Sequence, residues 1–182
     1  MSDTTPSIRR AESRDATSLA ALAERTFRTT FAAHNSDANM ALHCARTYGA
    51  AIQADEIVDP ARVTIVADDG GTLCGYAMLR WGAAPACVVA RRPAELQRIY
   101  VDRHWHGRGV APALMSVMLE NARLGGADRV WLGVWEHNPR ARAFYRRSGF
   151  VDVGEHAFRL GDEVQRDRVM VRDLAQVATG AS

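Results

Sequence analysis

The segment RHWHGRGVAPAL, residues 103–114, sets two glycines, two arginines and two histidines directly before a run with helical periodicity. In that run Val110, Leu114, Val117 and Met118 recur at i, i+4, i+7 and i+8, one apolar helix face that Gly125-Gly126 would end. Backbone N–H groups at a helix start have no partner within the helix, and the helix dipole favours an anion beside them. Glycine lets such a turn approach phosphate oxygens, and Arg103 and Arg108 can add charge-assisted bonds. The opposing reading is a basic surface turn that binds nothing. Cations at a helix N-terminus oppose the dipole, so an anion between them is the simpler account. Two phosphate motifs fail here. A P-loop needs a lysine after its second glycine, and none follows Gly107 or Gly109. A dinucleotide fingerprint needs three spaced glycines, and Pro112 stands where the third would pack a helix on a strand.

Upstream of the turn, AELQRIYV (94–101) reads as a strand. Strict alternation would put Leu96 on the opposite face from Ile99 and Val101. If all three face the core, one extra residue interrupts the ladder between Leu96 and Ile99, a β-bulge of the kind found beside functional sites. Before it, RVTIVADDGGTLCGYAMLRW (62–81) is a hairpin, and GAAPACVVARRP (82–93) is a strand extension or a loop. Downstream, DRVWLGVW (128–135) is a strand, and Asn138 caps a helix that starts at Pro139 and closes at Gly149. FVDVGEHAFRL (150–160) and EVQRDRVMVRDL (163–174) are two further strands joined by a tight turn.

Toward the N-terminus, SIRRAES (7–13) is a short strand. A helix follows through Leu19, Leu22, Ala23, Thr26 and Phe27, then a second from Ser36 or Asp37 to Gly49, and Pro60 ends AIQADEIVDP (51–60). Only the central strand–turn–helix–strand passage demands a parallel crossover. The chain therefore reads as one α+β domain over 1–182 with a mixed, mostly antiparallel sheet and a frayed tail at 175–182.

Composition narrows the partners. A net charge of +2 makes neither nucleic acid nor a membrane the default partner, although basic residues cluster at Arg103–Arg108 and Arg140–Arg147. Cys44, Cys74 and Cys87 form no CxxC pair, which argues against a disulfide framework or a zinc site and suits a reducing compartment. The start MSDTTPSIRRAESRD has no apolar leader, and no run approaches a membrane span. The expectation is a soluble cytoplasmic protein, monomer or homodimer, without a metal. His34, His43, His137 and His156 have no ligand spacing and read as satisfied or exposed side chains. Trp131 and Trp135 alternate along a strand and are expected against a helix; Trp105 is either exposed or a cover for a base.

A third phosphate pattern does fit the turn. His106-Gly107-Arg108-Gly109-Val110-Ala111 meets the acyl-CoA pyrophosphate loop, Gln/Arg-x-x-Gly-x-Gly/Ala, at every required position but the first. ELQRIYVDRHWHGRGVAPALM (95–115) followed by VWLGVWEHNPRARAFYRRSGF (130–150) resembles the GNAT superfamily of N-acetyltransferases, with the specific motifs in 94–150. Outside them, RTFRTTFAAHNSDANMALH (25–43) and HAFRLGDEVQRDRVMVRDL (156–174) are similar to PaiA-type polyamine acetyltransferases.

The resemblance implies the acyl-CoA N-acyltransferase fold, with about seven strands, about four helices and a splayed parallel pair, LQRIYV and VWLGVW, that holds acetyl-CoA in its gap. It implies that the main chain of Ile99, Tyr100 and Val101 meets the pantetheine arm, with Ile99 and Val101 pairing to it like an added strand. The pyrophosphate would rest on amides 107–111, with His106, Gly107, Arg108, Gly109, Val110 and Ala111 as contacts. His106 replaces the usual Gln or Arg; it can still donate, with a charge that depends more on pH. Asn138 would bond the pantetheine as well as cap its helix.

Tyr145 matches the tyrosine that protonates the departing thiolate; alternatively it is a core residue, sharing a helix face with Ala141 and Phe144. A phenol of pKa ~10 is protonated at neutral pH, and a thiol of pKa ~8.5 is a good leaving group. The implied reaction is direct attack of a primary amine on the thioester, with the oxyanion held by a backbone N–H of the strand before the turn. Such an amine, of pKa around 10.4, is almost wholly protonated at pH 7, so its deprotonation needs help. Glu95 is the candidate base, with a solvated strand-end carboxylate as the alternative, and Glu24, Asp37 and Glu56 are candidates for attracting a cationic substrate. Spermidine or spermine leads the acceptors. Amino acids, aminoglycosides and protein N-termini are the other candidates, and a CoA-binding module without catalysis is the non-enzymatic reading.

Overall fold

A computed structural model describes residues 5–174. The elements run β1 (Ser7–Arg10), α1 (Ala16–Phe31), α2 (Asp37–Thr47), α3 (Ala50–Val58), β2 (Arg62–Asp69), β3 (Thr72–Trp81), β4 (Pro93–Val101), α4 (Val110–Leu124), β5 (Arg129–Trp135), α5 (Pro139–Arg147), β6 (Val151–Leu160) and β7 (Glu163–Asp173). The seven strands form one sheet in the order β1-β2-β3-β4-β5-β7-β6. Every neighbouring pair is antiparallel except β4–β5. That is the mixed sheet with a central parallel pair that the sequence implies.

Helices cover both faces. On one, α4 buries Val110, Leu114, Met115 and Met118 against Ala77, Leu79, Leu96, Val130 and Leu132. The periodic apolar positions of α4 make this burial, and hydrophobic contact rather than helix propensity holds it in place. Gly75 permits the approach: a Cβ there would lie 3.2 Å from both Leu114 and Val110. On the other face Leu19, Leu22, Ala23 and Phe27 of α1 pack with Met40, Cys44 and Tyr48 over Val66, Leu73 and Tyr76.

The bulge falls where alternation requires it. Met78 pairs with Arg98 but Leu79 pairs with Leu96, so Gln97 is the extra residue. Leu96 belongs to the α4-side core, and Ile99 and Val101 pack against the same cluster.

Two expectations change, and one left open is decided. There are five α-helices among the described residues, not about four, because α3 follows α2 after a break at Tyr48–Gly49. Gly49 offers no capping side chain; Gln53 supplies the staple instead, accepting from Gly49 N–H at 2.8 Å and donating to the Thr47 carbonyl at 3.1 Å. Residues 82–92, open between a strand extension and a loop, form a loop. Trp131 packs beneath that loop with Val88, Val169 and Val171, not against a helix. The expected fraying at 175–182 lies outside the described residues. Among the described residues no helix is long and apolar enough to cross a membrane, and no group of three or more His, Cys, Asp or Glu could hold a metal ion.

Candidate active site

The parallel pair is short. β4 and β5 pair only at Pro93–Arg129, Ala94–Val130 and Glu95–Trp131. Beyond Glu95 the bulge re-aims β4, and residues 99–101 and 132–135 have no ladder between them. The direction of the free peptide groups follows from the register. Asp102 N–H donates to the Cys74 carbonyl at 2.8 Å, a bond that flanks the Gly75–Val101 pair. Antiparallel alternation then turns the N–H and C=O of Val101, and of Ile99 two residues earlier, away from β3 and toward the gap. The peptide groups of Tyr100 face β3. His106 meets the free Val101 carbonyl, with its Nε2 at 2.9 Å.

The turn at 103–109 enters α4 through two left-handed glycines, Gly107 at φ 78° and Gly109 at φ 80°. Both positions therefore favour glycine. Gly109 is the N-cap of α4, with no side chain capping it, and the first ladder bond runs from Ala113 N–H to the Gly109 carbonyl at 3.1 Å. The amides of Val110 and Ala111 lie before that bond and have no helical acceptor. Pro112 sits in the same first turn, where its missing N–H costs nothing. The Arg108 guanidinium lies over the Trp105 ring at 5.3 Å, while Arg103 is exposed.

The helix after β5, the far strand of the splayed pair, is α5, which packs on the α4-side core. Asn138 caps it, its Oδ1 accepting from Ala141 N–H at 3.0 Å, which leaves its Nδ2 to donate elsewhere. Tyr145 packs against the α4-side core, its ring 5.5 Å from Phe144 and 6.0 Å from Phe150. Burial first, then the nearby Tyr100 and Asp167, push its hydroxyl well above the usual phenol value. The phenol stays protonated at neutral pH, and among the described residues it has no hydrogen-bond partner.

The acidic residues singled out from the sequence lie apart. Glu95 is held by Arg80, whose Nη2 is 2.6 Å and Nε 2.9 Å from its Oε2. Glu56 receives Arg98 at 2.8 Å and 3.0 Å, Arg62 at 3.3 Å and Gln53 at 3.0 Å. Glu24 pairs with Arg28 at 2.8 Å, and Asp37 is the exposed first residue of α2.

Two further residues flank β5 where it leaves the ladder: Asp167, which sequence reasoning did not single out, and His156, expected to be satisfied or exposed and found with its Nε2 buried and unbonded. On β7, Asp167 pairs in register with Trp135 of β5 and with His156 of β6. Only 8% of Asp167 is exposed, and burial, then Glu136, pushes its carboxyl up to about 6. His156 Nε2 stands 4.0 Å from Asp167 Oδ2, beyond hydrogen-bond range, and is buried with no partner among the described residues. Burial holds the imidazole below its usual value, against an opposing pull from Glu95. Both side chains lean over Gly133, where a Cβ would fall 2.6 Å from His156 Nε2 and 3.1 Å from Asp167 Oδ2. A glycine inside the apolar strand VWLGVW was the available signal, because glycine in a strand marks a close approach. Beside them Trp135 lies 6.1 Å from Phe31, 5.0 Å from His34 and 5.3 Å from His137, ring to ring.

Comparison with known proteins agrees with this layout. Residues 19–150 match the acetyltransferase (GNAT) family. An uncharacterized N-acetyltransferase of Mycobacterium tuberculosis is 39% identical over 160 residues, covering 88% of this chain and 98% of the relative. The spermine/spermidine N(1)-acetyltransferase of Bacillus subtilis is 28% identical over 107 residues, 57% of this chain and 65% of that protein. The crystal structure of the PaiA N-acetyltransferase of Thermoplasma acidophilum in complex with coenzyme A superimposes with a TM-score of 0.76 at 19% identity, over 94% of this chain and all of that one. The splayed parallel strands, the glycine turn before α4 and the family match lead to one conclusion: this chain is a member of the GNAT family, an acetyl-CoA-dependent N-acetyltransferase.

Proposed function

We propose that this acetyltransferase transfers acetyl directly to a primary alkylamine, with polyamines such as spermidine and spermine as the favoured acceptors. What supports the direct-transfer reading is that the peptide N–H groups of Ile99 and Val101 turn from β3 toward the gap, and that Tyr145 offers a buried, protonated phenol free of other hydrogen bonds. Acetyl-CoA brings the activated acetyl group as a thioester. The main chain of Ile99 and Val101 aligns its pantetheine arm as an added strand, while the Tyr100 peptide groups, turned to β3, take no part, and Asn138 Nδ2 donates to the arm. Gly107, Arg108, Gly109, Val110 and Ala111 hold the pyrophosphate, and His106 braces the turn through Val101. The N–H of Ile99 stabilises charge on the thioester oxygen. Tyr145 returns a proton to the leaving sulfur.

The case for a cationic acceptor is electrostatic. Asp167 and Glu136 put negative charge beside the aromatic wall of Trp135 and Phe31, and aromatic faces attract ammonium groups. Glu56 is neutralised by two arginines and Glu24 by one, so these carboxylates contribute less attraction than their sequence positions suggest. The partial similarity to a spermine/spermidine acetyltransferase points the same way. The test is thiol release from acetyl-CoA across spermidine, spermine, amino acids, an aminoglycoside and a protein N-terminal peptide. Polyamines should give the highest kcat/KM. A higher value for another class would reassign the acceptor, and CoA binding without release for any amine would favour the non-enzymatic module.

A further inference from the structure

We propose that Asp167 accepts the proton of the incoming ammonium group. The inference rests on the amine-acetylation reading and names a role within that site. Its basis is geometric. A carboxylate with 8% exposure normally carries hydrogen bonds, because burying it bare is costly. Among the described residues Asp167 has none, and its neighbour His156 Nε2 is likewise buried and unbonded at 4.0 Å. Gly133 has no side chain to fill the space over them, so both groups lie against β5 at the margin of the splayed gap. The Asp167 charge also bears on the hydroxyls of Tyr145, the leaving-group proton donor, and of Tyr100 on the bulged strand. Glu95 lacks this freedom, since Arg80 holds it at 2.6 Å.

The groups facing Asp167 are His156 on β6, Glu136 after β5, Tyr100 on β4 and Tyr145 on α5; Glu95 on β4 acts on His156. The proton balance closes. An N–H bond of the ammonium breaks, its proton forms an O–H bond on Asp167, and the freed electron pair on nitrogen bonds the acetyl carbon. The carbon–sulfur bond breaks with its electron pair on sulfur, which takes a proton from Tyr145. The new amide nitrogen gives its surplus proton to Tyr145, and Asp167 releases its proton to water, so each turnover yields one amide, one thiol and one proton.

The pH profile of kcat/KM with spermidine tests this. With Asp167 ionised above about pH 6, the wild type takes up the abundant ammonium form and its profile is flat from pH 7 to 9. Asp167→Asn should lose about 100-fold or more at pH 7. Its residual rate should climb roughly tenfold per pH unit, because only the amine already neutral in solution can react. Asp167→Ala should recover rate at pH 7 on addition of formate, a second readout should the Asn variant fold poorly. Glu95→Gln, whatever its rate, should keep the flat profile. A flat profile in active Asp167→Asn, a rising one in Glu95→Gln, or no formate rescue in folded Asp167→Ala overturns the assignment alone. Wild-type protein that binds CoA but acetylates no amine overturns the amine reading and the assignment with it.

Discussion

Glu56 and Asp167 are carboxylates with equal side-chain exposure, 11% each, and opposite surroundings. Glu56 on α3 is bonded by Arg98 and Arg62, joining a helix to the two strands β4 and β2. Asp167 on β7 has no such bond among the described residues, and the gap beside Gly133 adjoins it. The contrast separates polar groups that hold the wall from groups left for something that arrives. The same division runs along β4: Arg98 is fully engaged at the bulge, while the peptide groups of Ile99 and Val101 just past it are free of a strand partner.

Removing the bonded member should do the most damage. Glu56→Ala leaves the buried Arg98 without its carboxylate and Arg62 with Asp59 alone, and a loss of about 3–5 kcal/mol is expected from denaturant unfolding. Removing a free group should cost no stability and act on chemistry. Tyr145→Phe is expected to lower kcat about 100-fold with little change in the KM for acetyl-CoA or in Tm, since the lost hydroxyl has no hydrogen bond to break.

Asp167→Asn sharpens the contrast through pH. A folded value of about 6 lies above the unfolded value of ~3.9, so the folded state holds more protons between those pH values. Stability contributed by this group is therefore complete below about pH 4 and is lost as pH rises toward 6. The Asn variant should exceed the wild type by about 3 kcal/mol at pH 7 and match it near pH 4, read by thermal melts at both pH values. Glu56→Gln should show no such gain. The smallest effect belongs to the turn. Gly109→Ala at φ 80° is expected to cost about 1 kcal/mol and to weaken CoA binding severalfold, measured by calorimetry.

Sequence patterning was most informative where local periodicity was at stake. Leu96, Ile99 and Val101 cannot share a face without an inserted residue, and Gln97 is that residue. The glycine turn and the Asn138 cap are equally local. The third helix was hidden because its start lacks a capping side chain at Gly49 and relies on Gln53, four residues on. Asp167 and His156 were hidden for a topological reason. β7 inserts between β5 and β6, and only that order brings both residues over Gly133. Nothing in the local spacing of those residues encodes it. Glu56 looked like a free acid because its partner Arg98 is distant in sequence.

The central claim is that the unpaired amides of the splay and the turn hold the CoA chain. Amide hydrogen exchange with and without CoA tests it most directly. Protection should appear at Ile99, Val101 and residues 107–111, with little change along β2 and β3. Tight CoA binding that leaves those amides exchanging as before, with protection elsewhere on the chain, would contradict it.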